Sequence, residues 1–251
     1  FASLRRITMN KIAIIIPSRL NAQRLPNKPL KLINNKQMIL HVYEAAVNSK
    51  VGEVYIATPD QEIIDIVKNI NGNVIKTSDC HETGTDRVFE VFKNTLKNEP
   101  DIVINLQGDM PNIKPESIAD LIAYMQQGEC DIGTLASEFS EKEEIKDPNV
   151  VKVSLEEKLT KKKFLNALDF FRISESFQKN LYHHVGIYAF TSKALVKFVN
   201  LKRTKLELDR KLEQLRALEN NMTIHVGFIK TSPLSVDTEE DLIKIKKIME
   251  Y

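Results

Sequence analysis

The sequence predicts an α/β fold, a doubly wound and mostly parallel sheet with a small inserted α/β lobe. Three observations predict it. Short β-branched runs such as Ile12 to Ile16 and Asp101 to Leu106 read as strands buried on both faces. Between such runs, apolar residues recur at helical spacing, so strand and helix alternate as they do around a parallel sheet with right-handed crossovers. The alternation stops near residue 140, where charge accumulates, and resumes near residue 183. The expected organisation is one domain over 9–251, with 140–182 as the inserted lobe and 1–8 as a non-core N-terminal extension.

In chain order, the first strand is halted at Pro17, which has no backbone donor, and delivers a polar loop. Open α/β sheets bind ligands beyond the carboxyl ends of their strands. Arg19, Arg24 and Lys28 fall there, on a loop stiffened by Pro26 and Pro29. Fixed cations in a crevice suit a polyphosphate. The bland alternative is a solvated basic loop, and the pattern is neither a Walker loop nor a dinucleotide fingerprint.

Met38 to Val47 predicts a helix and Glu53 to Thr58 a second strand. Asp60 is placed to cap a helix carrying Ile63, Ile64, Val67 and Ile70, which Asn71-Gly72 ends before a third strand, Asn73 to Lys76. Gly84 to Leu96 predicts an amphipathic helix and Asp101 to Leu106 the fourth strand. A helix over Pro115 to Gln127 and a strand over Asp131 to Ala136 follow. In the lobe, Val150 to Leu155 reads as a strand and Glu156 to Lys163 as a hairpin or loop. The core pattern returns with a strand at Val185 to Phe190, helices over Lys193 to Phe198 and Leu206 to Glu219, a strand at Thr223 to Phe228 and a helix from Glu239 to Met249.

The 251 residues are 42% hydrophobic and 28% charged, as in an ordinary globular protein. With 36 basic and 34 acidic residues the net charge is +2, which argues against nucleic-acid or membrane partners and makes any polyanion binding local. Cys80 and Cys130 lack metal-site or disulfide-scaffold spacing, so a reducing cytoplasm is expected. No apolar run approaches the roughly 18 residues of a spanning helix.

Gln107-Gly108-Asp109 directly follows the fourth strand. A carboxylate there can hold Mg2+, which favours one or two carboxylates plus substrate phosphates, and Gly108 would let the backbone approach a ligand. A turn aspartate is the bland alternative. Asp237 is a candidate partner, with Thr238 assigned as the cap of the following acidic helix start. Gly84-Thr85-Asp86-Arg87 opens a helix and offers donors to a ribose, base or phosphate, or is simply a capped helix start. His183-His184 suits a polar role better than a metal site. Glu213 and Arg216, three apart, could pair on a helix surface as a structural feature.

Taken together, Ile16-Pro17-Ser18-Arg19, Arg24-Leu25-Pro26-Asn27-Lys28-Pro29-Leu30, Gly84-Thr85-Asp86-Arg87, Gln107-Gly108-Asp109, His184-Val185-Gly186-Ile187-Tyr188, Leu212-Glu213-Gln214-Leu215-Arg216 and Val236-Asp237-Thr238-Glu239-Glu240-Asp241-Leu242 resemble, in order, the 3-deoxy-manno-octulosonate (Kdo) cytidylyltransferases. The resemblance implies a nucleotide-diphospho-sugar transferase-like fold. It implies a cytoplasmic, Mg2+-dependent homodimer that joins CTP to a 3-deoxy sugar acid for lipopolysaccharide synthesis and releases pyrophosphate. Carried over residue by residue, it puts Arg19 and Lys28 on the triphosphate and Asp109 and Asp237 on metal, these four being the catalytic set. Pro17, Ser18, Thr85 and Arg87 would lie near the nucleotide, and Gln107, Arg172, His184, Tyr188, Glu213 and Gln214 around the sugar acid.

Three positions depart from the family pattern. Met110 stands where glutamate is usual, so a carboxylate beside the metal is missing; Asn27 stands for glycine; and Phe170-Phe171-Arg172-Ile173-Ser174 replaces a Phe-Ser-Arg segment followed by a Pro-Ile-Pro run. The alternatives are an 8-amino-Kdo or nonulosonic acid acceptor, or a catalytically silent nucleotide-binding module.

Overall fold

Ile14 and Ile16 are fully buried against one face of the central sheet and Ile15 against the other, which is why this β-branched run forms the middle strand. The computed structural model describes residues 11–21, 24–127, 130–161, 163–173 and 179–250; the expected extension 1–8 lies outside the described residues. The elements run β1 (Ile12–Pro17), β2 (Leu32–Ile33), β3 (Lys36–Gln37), α1 (Met38–Asn48), β4 (Glu53–Thr58), α2 (Gln61–Asn69), β5 (Val74–Lys76), α3 (Gly84–Glu90), β6 (Ile102–Leu106), α4 (Pro115–Gln127) and β7 (Ile132–Ser137). They continue with β8 (Lys152–Leu155), β9 (Leu165–Phe171), β10 (Leu181–Thr191), α5 (Ser192–Asn200), α6 (Lys205–Arg210), α7 (Leu215–Glu219), β11 (Ile224–Phe228) and α8 (Glu239–Ile248).

Among the described residues nine strands form one sheet in the order β5-β4-β1-β6-β10-β7-β11-β9-β8. β1 pairs in parallel with β4 and β6, and β11 in parallel with β7, whereas β10 is antiparallel to both β6 and β7. Residues of α1, α2 and α4 pack on one face, and those of α3, α5 and α7 on the other, giving the doubly wound arrangement. The 140–182 stretch supplies β8 and β9, both hydrogen-bonded into this sheet. Because β8 also pairs with β10, strands β10, β7, β11, β9 and β8 close a ring.

Several elements differ from expectation. The helix expected over Leu206 to Glu219 is two short ones, because Lys211 adopts a left-handed backbone (φ 54°, ψ 46°). The turn lets Arg216 reach back to Glu207, forking it at 2.9 and 2.6 Å, so Arg216 is buried and not a surface partner of Glu213, which lies 3.7 Å away. The helix opened by Gly84 passes into a π turn over Val91–Thr95. Asp60 precedes α2, but its carboxylate accepts from the Leu20 N–H at 2.8 Å and makes no cap bond, so it serves the basic loop. Thr238 caps α8 as expected, accepting from the Asp241 N–H at 3.2 Å.

A small third core explains how the chain's two ends meet. Leu25 of the basic loop, Ile33 of β2 and Met38 of α1 pack against Val236, Leu242 and Ile245. The Val236 N–H also donates to the Asp109 carbonyl at 2.9 Å, so residue 237 is held beside the loop that follows β6.

Candidate active site

A cleft of about 710 Å³ opens beyond the carboxyl ends of β1, β5 and β6. Pro17, Ser18, Arg19, Lys28, Arg87, Gln107, Asp109 and Asp237 all line it, together with Arg24. Asn27 takes the left-handed backbone expected where glycine is usual (φ 56°) and opens a 3-10 turn, Lys28–Leu30. That turn aims Lys28 into the cleft, where its Nζ donates to Asp109 Oδ2 at 2.9 Å and Asp237 Oδ1 at 3.0 Å. Arg24 Nη2 lies 3.1 Å from the other Asp237 oxygen. Burial works against the charge on Lys28, but the two carboxylates outweigh it and raise its pKa.

Two carboxylates already share one cation. Among the described residues no group of three or more His, Cys, Asp or Glu gathers, so a metal here would rest on Asp109 and Asp237 with waters or phosphates completing its shell. That donor set fits Mg2+.

The Ser18 hydroxyl is buried without a hydrogen-bond partner among the described residues, an acceptor or donor kept open at the cleft wall. Arg87 is buried and donates to Thr77 Oγ1 and, at 2.8 Å, to the Ser78 carbonyl. It therefore braces the loop after β5. Burial, then the charge of Arg19, which lines the same cleft, lower the Arg87 pKa.

His81 was not singled out from the sequence, yet it lines the cleft. Its Nε2 bonds Glu90, which also accepts from the Ser78 N–H at 3.0 Å. Burial raises the Glu90 pKa, but these hydrogen bonds win and hold it below the ordinary value. The available signal was its place in the loop beyond the third strand.

The remaining expected residues do not line this cleft, and a hydrogen-bonded chain leads from Gln107 on its wall to two of them, Thr85 and Glu213. Gln107 Nε2 donates to Asn105 Oδ1 at 3.1 Å, Asn105 Nδ2 donates to Thr85 Oγ1 at 3.1 Å, and the Thr85 hydroxyl donates to Glu213 Oε2 at 3.0 Å. Thr85 is thus a buried link and not a wall residue. Burial raises the Glu213 pKa, against the hydrogen bond from Thr85 and the charge of Arg216. Glu213 also pushes up the Tyr188 hydroxyl, after burial. Tyr188 and His184 sit on β10 with ring centroids 5.5 Å apart. Buried His184 bonds the Thr134 hydroxyl through Nε2 at 2.9 Å, and burial takes its pKa down to about 3. Gln214 is buried at the start of α7. Arg172 follows β9 and donates to the Pro148 carbonyl at 3.1 Å.

Two residues of the loop after β6 are also constrained by packing. Gly108 lines the cleft, and a Cβ there would come 2.9 Å from Ile39 Cδ1, so the missing side chain also serves packing against α1. Met110 is 3% exposed and belongs to the same core cluster as Ile39, so it fills apolar space where the family pattern has a carboxylate.

Comparisons with known proteins identify the family. A family model described as cytidylyltransferase matches residues 13–224. The 3-deoxy-manno-octulosonate cytidylyltransferase of Brucella ovis is 43% identical over 234 residues, covering 92% of this chain and 93% of its own. That of Bartonella tribocorum is 40% identical over 241 residues, covering 94% and 97%. The solved structure of a CMP:2-keto-3-deoxy-manno-octonic acid synthetase complexed with CTP superposes with a TM-score of 0.85 at 35% identity, covering 95% of this chain and 98% of that one. A putative glucose-1-phosphate thymidylyltransferase from Bacillus anthracis shares the fold alone, with a TM-score of 0.66 at 16% identity.

Proposed function

The chain belongs to the cytidylyltransferase family, and on that premise we propose that it condenses CTP with Kdo to give CMP-Kdo and pyrophosphate for lipopolysaccharide synthesis. The observation that carries this reading is Lys28 between Asp109 and Asp237, in a cleft that also holds Arg19 and Arg24. A triphosphate and a sugar acid are both anions, and their approach requires fixed positive charge.

Arg19 and Lys28 bind the triphosphate and disperse charge on the departing pyrophosphate. The sugar's anomeric hydroxyl attacks the α-phosphorus in line with that leaving group, so no protein nucleophile is needed. Asp109 and Asp237 would hold Mg2+, which supplies charge neutralisation at the phosphates and a lower pKa at the attacking hydroxyl. Gln107, Arg172, His184, Tyr188, Glu213 and Gln214 surround the sugar acid. A neutral His184 and an un-ionised Tyr188 can hydrogen-bond its hydroxyls without adding charge.

We place the enzyme in the cytoplasm as a homodimer. No helix among the described residues is long and apolar enough to cross a membrane. Leu168 on β9 and Ile173 just beyond it are 48% and 65% exposed and offer apolar surface for a second copy. Sedimentation velocity tests the dimer.

The reaction is tested by supplying CTP and Mg2+ with Kdo, 8-amino-Kdo or N-acetylneuraminic acid and identifying the nucleotide sugar by mass. Kdo is expected to give CMP-Kdo. Product only from another acid would move the substrate, and CTP binding without product from any would favour the silent module.

A further inference from the structure

Lys152 is completely buried, in a protein whose other lysines largely reach solvent. It opens β8, the strand between β9 and β10, and its register partners are Phe171 on β9 and His183 on β10. Those residues immediately precede Arg172 and His184, two of the groups assigned to the sugar acid. The His184 N–H donates to the carbonyl of Val151, next to Lys152, at 2.9 Å. Lys152 therefore stands at the root of both arms of the acceptor side.

Its ammonium is fully engaged. Nζ donates to the Asp147 carbonyl, to the Val150 carbonyl at 2.8 Å and to the Arg172 carbonyl at 2.6 Å. Three acceptors match the three donors of an ammonium. The loop gathered this way holds Arg172 in turn, because Arg172 Nη1 donates to the Pro148 carbonyl at 3.1 Å and the Asn149 carbonyl at 3.5 Å. The same loop reaches across to the nucleotide side, where Asn149 Oδ1 accepts from Arg24 Nη1 at 3.4 Å while Arg24 Nη2 pairs with Asp237.

We propose that Lys152 is a positioning residue for the acceptor: by tying the carbonyls of Asp147, Val150 and Arg172 together, it presets the Arg172 guanidinium for the sugar acid's carboxylate. The proposal rests on the reaction and the role of Arg172 given above. Lys152 itself touches no substrate. A buried clasp of purely structural value is the competing explanation, and it makes a different prediction, since loosening the fold would disturb nucleotide and acceptor alike.

The test is steady-state kinetics of Lys152→Met with CTP and Kdo varied separately, alongside Arg172→Ala and the double variant. The KM for the sugar acid is expected to rise about tenfold, the scale of one lost buried polar partner, with the KM for CTP within about twofold of wild type. The double variant should be no worse than Arg172→Ala, because the two residues act as one unit. An unchanged sugar-acid KM, equal rises in both KM values, or additive effects in the double variant overturn the proposal. Should Lys152→Met fail to fold, Lys152→Arg keeps the charge but spreads its donors in a plane, and it should raise the sugar-acid KM alone; an unchanged value overturns the proposal. Wild-type protein silent toward every sugar acid overturns the proposed reaction and this inference together. Wild-type turnover with an indifferent Arg172→Ala overturns this inference and leaves the reaction standing.

Discussion

A salt bridge of 3.0 Å joins Lys28 to Asp237, residues 209 positions apart. The same Nζ lies 2.9 Å from Asp109, so without metal the lysine screens two carboxylates that would otherwise repel. Removing it should expose that repulsion. Lys28→Met is expected to lower stability by about 1 kcal/mol in metal-free buffer, a modest value because Asp237 is about one-third exposed. Mg2+ should then raise the Tm of the variant more than that of wild type. Equal Mg2+ responses would contradict the arrangement.

Ser18 carries a cost that ligand binding relieves. Its buried hydroxyl has no partner among the described residues, so Ser18→Ala should leave stability unchanged or raise it by up to about 1 kcal/mol while weakening CTP binding. Denaturant titration and calorimetry with CTP read the two effects separately. A variant that is destabilised, or that binds CTP as wild type does, would remove Ser18 from the nucleotide site.

Arg216 and Glu207 are only 4% and 6% exposed, and the Arg216 guanidinium also lies 4.6 Å above the Phe198 ring. Breaking a buried pair strands the remaining charge. Arg216→Met should cost about 3 kcal/mol, and the double Arg216→Met, Glu207→Met variant should recover much of the loss. Chemical denaturation of wild type, Arg216→Met, Glu207→Met and the double variant checks this, and a double variant as unstable as the sum of the singles would show that the two residues are not coupled.

His184 makes stability depend on pH. Its folded pKa is depressed to about 3 by burial, then by the neighbouring His183, whereas an unfolded histidine titrates near about 6.5. Between those values the unfolded chain binds a proton that the folded chain refuses. The contribution is therefore full above about pH 6.5 and falls as pH drops, by up to about 1.4 kcal/mol per unit. From pH 7 to 5, wild type should lose about 2 kcal/mol more than His184→Gln. Parallel losses would show that His184 is not the titrating group.

Most of the fold was legible because its signals are local. β-branched runs marked β1, β4 and β6, and Thr238 ahead of Glu239, Glu240 and Asp241 marked the start of α8. Asn71, with φ 55°, ends α2 as its sequence position suggests. The break at Lys211 was not legible, since a left-handed lysine has no sequence signature and is held by a contact made five residues later, where Arg216 turns back onto Glu207. β9 mixes Asn166 and Asp169 into its run and becomes a strand through its pairing with β8 and β11.

In the site, Lys28, Asp109 and Asp237 were legible because each sits at a predictable end of an element. His81 and Lys152 were not, because what distinguishes them is long-range: a cleft wall for one, and three carbonyls from two segments for the other.

The central claim is that Asp109 and Asp237 hold the metal that lets CTP react. The most direct measurement is Mg2+-dependent pyrophosphate release from CTP and Kdo by wild type, Asp109→Asn and Asp237→Asn, with circular dichroism establishing that each is folded. Release by wild type and a loss of about 10²-fold or more in each folded variant is the predicted result. Normal turnover in either variant would contradict it.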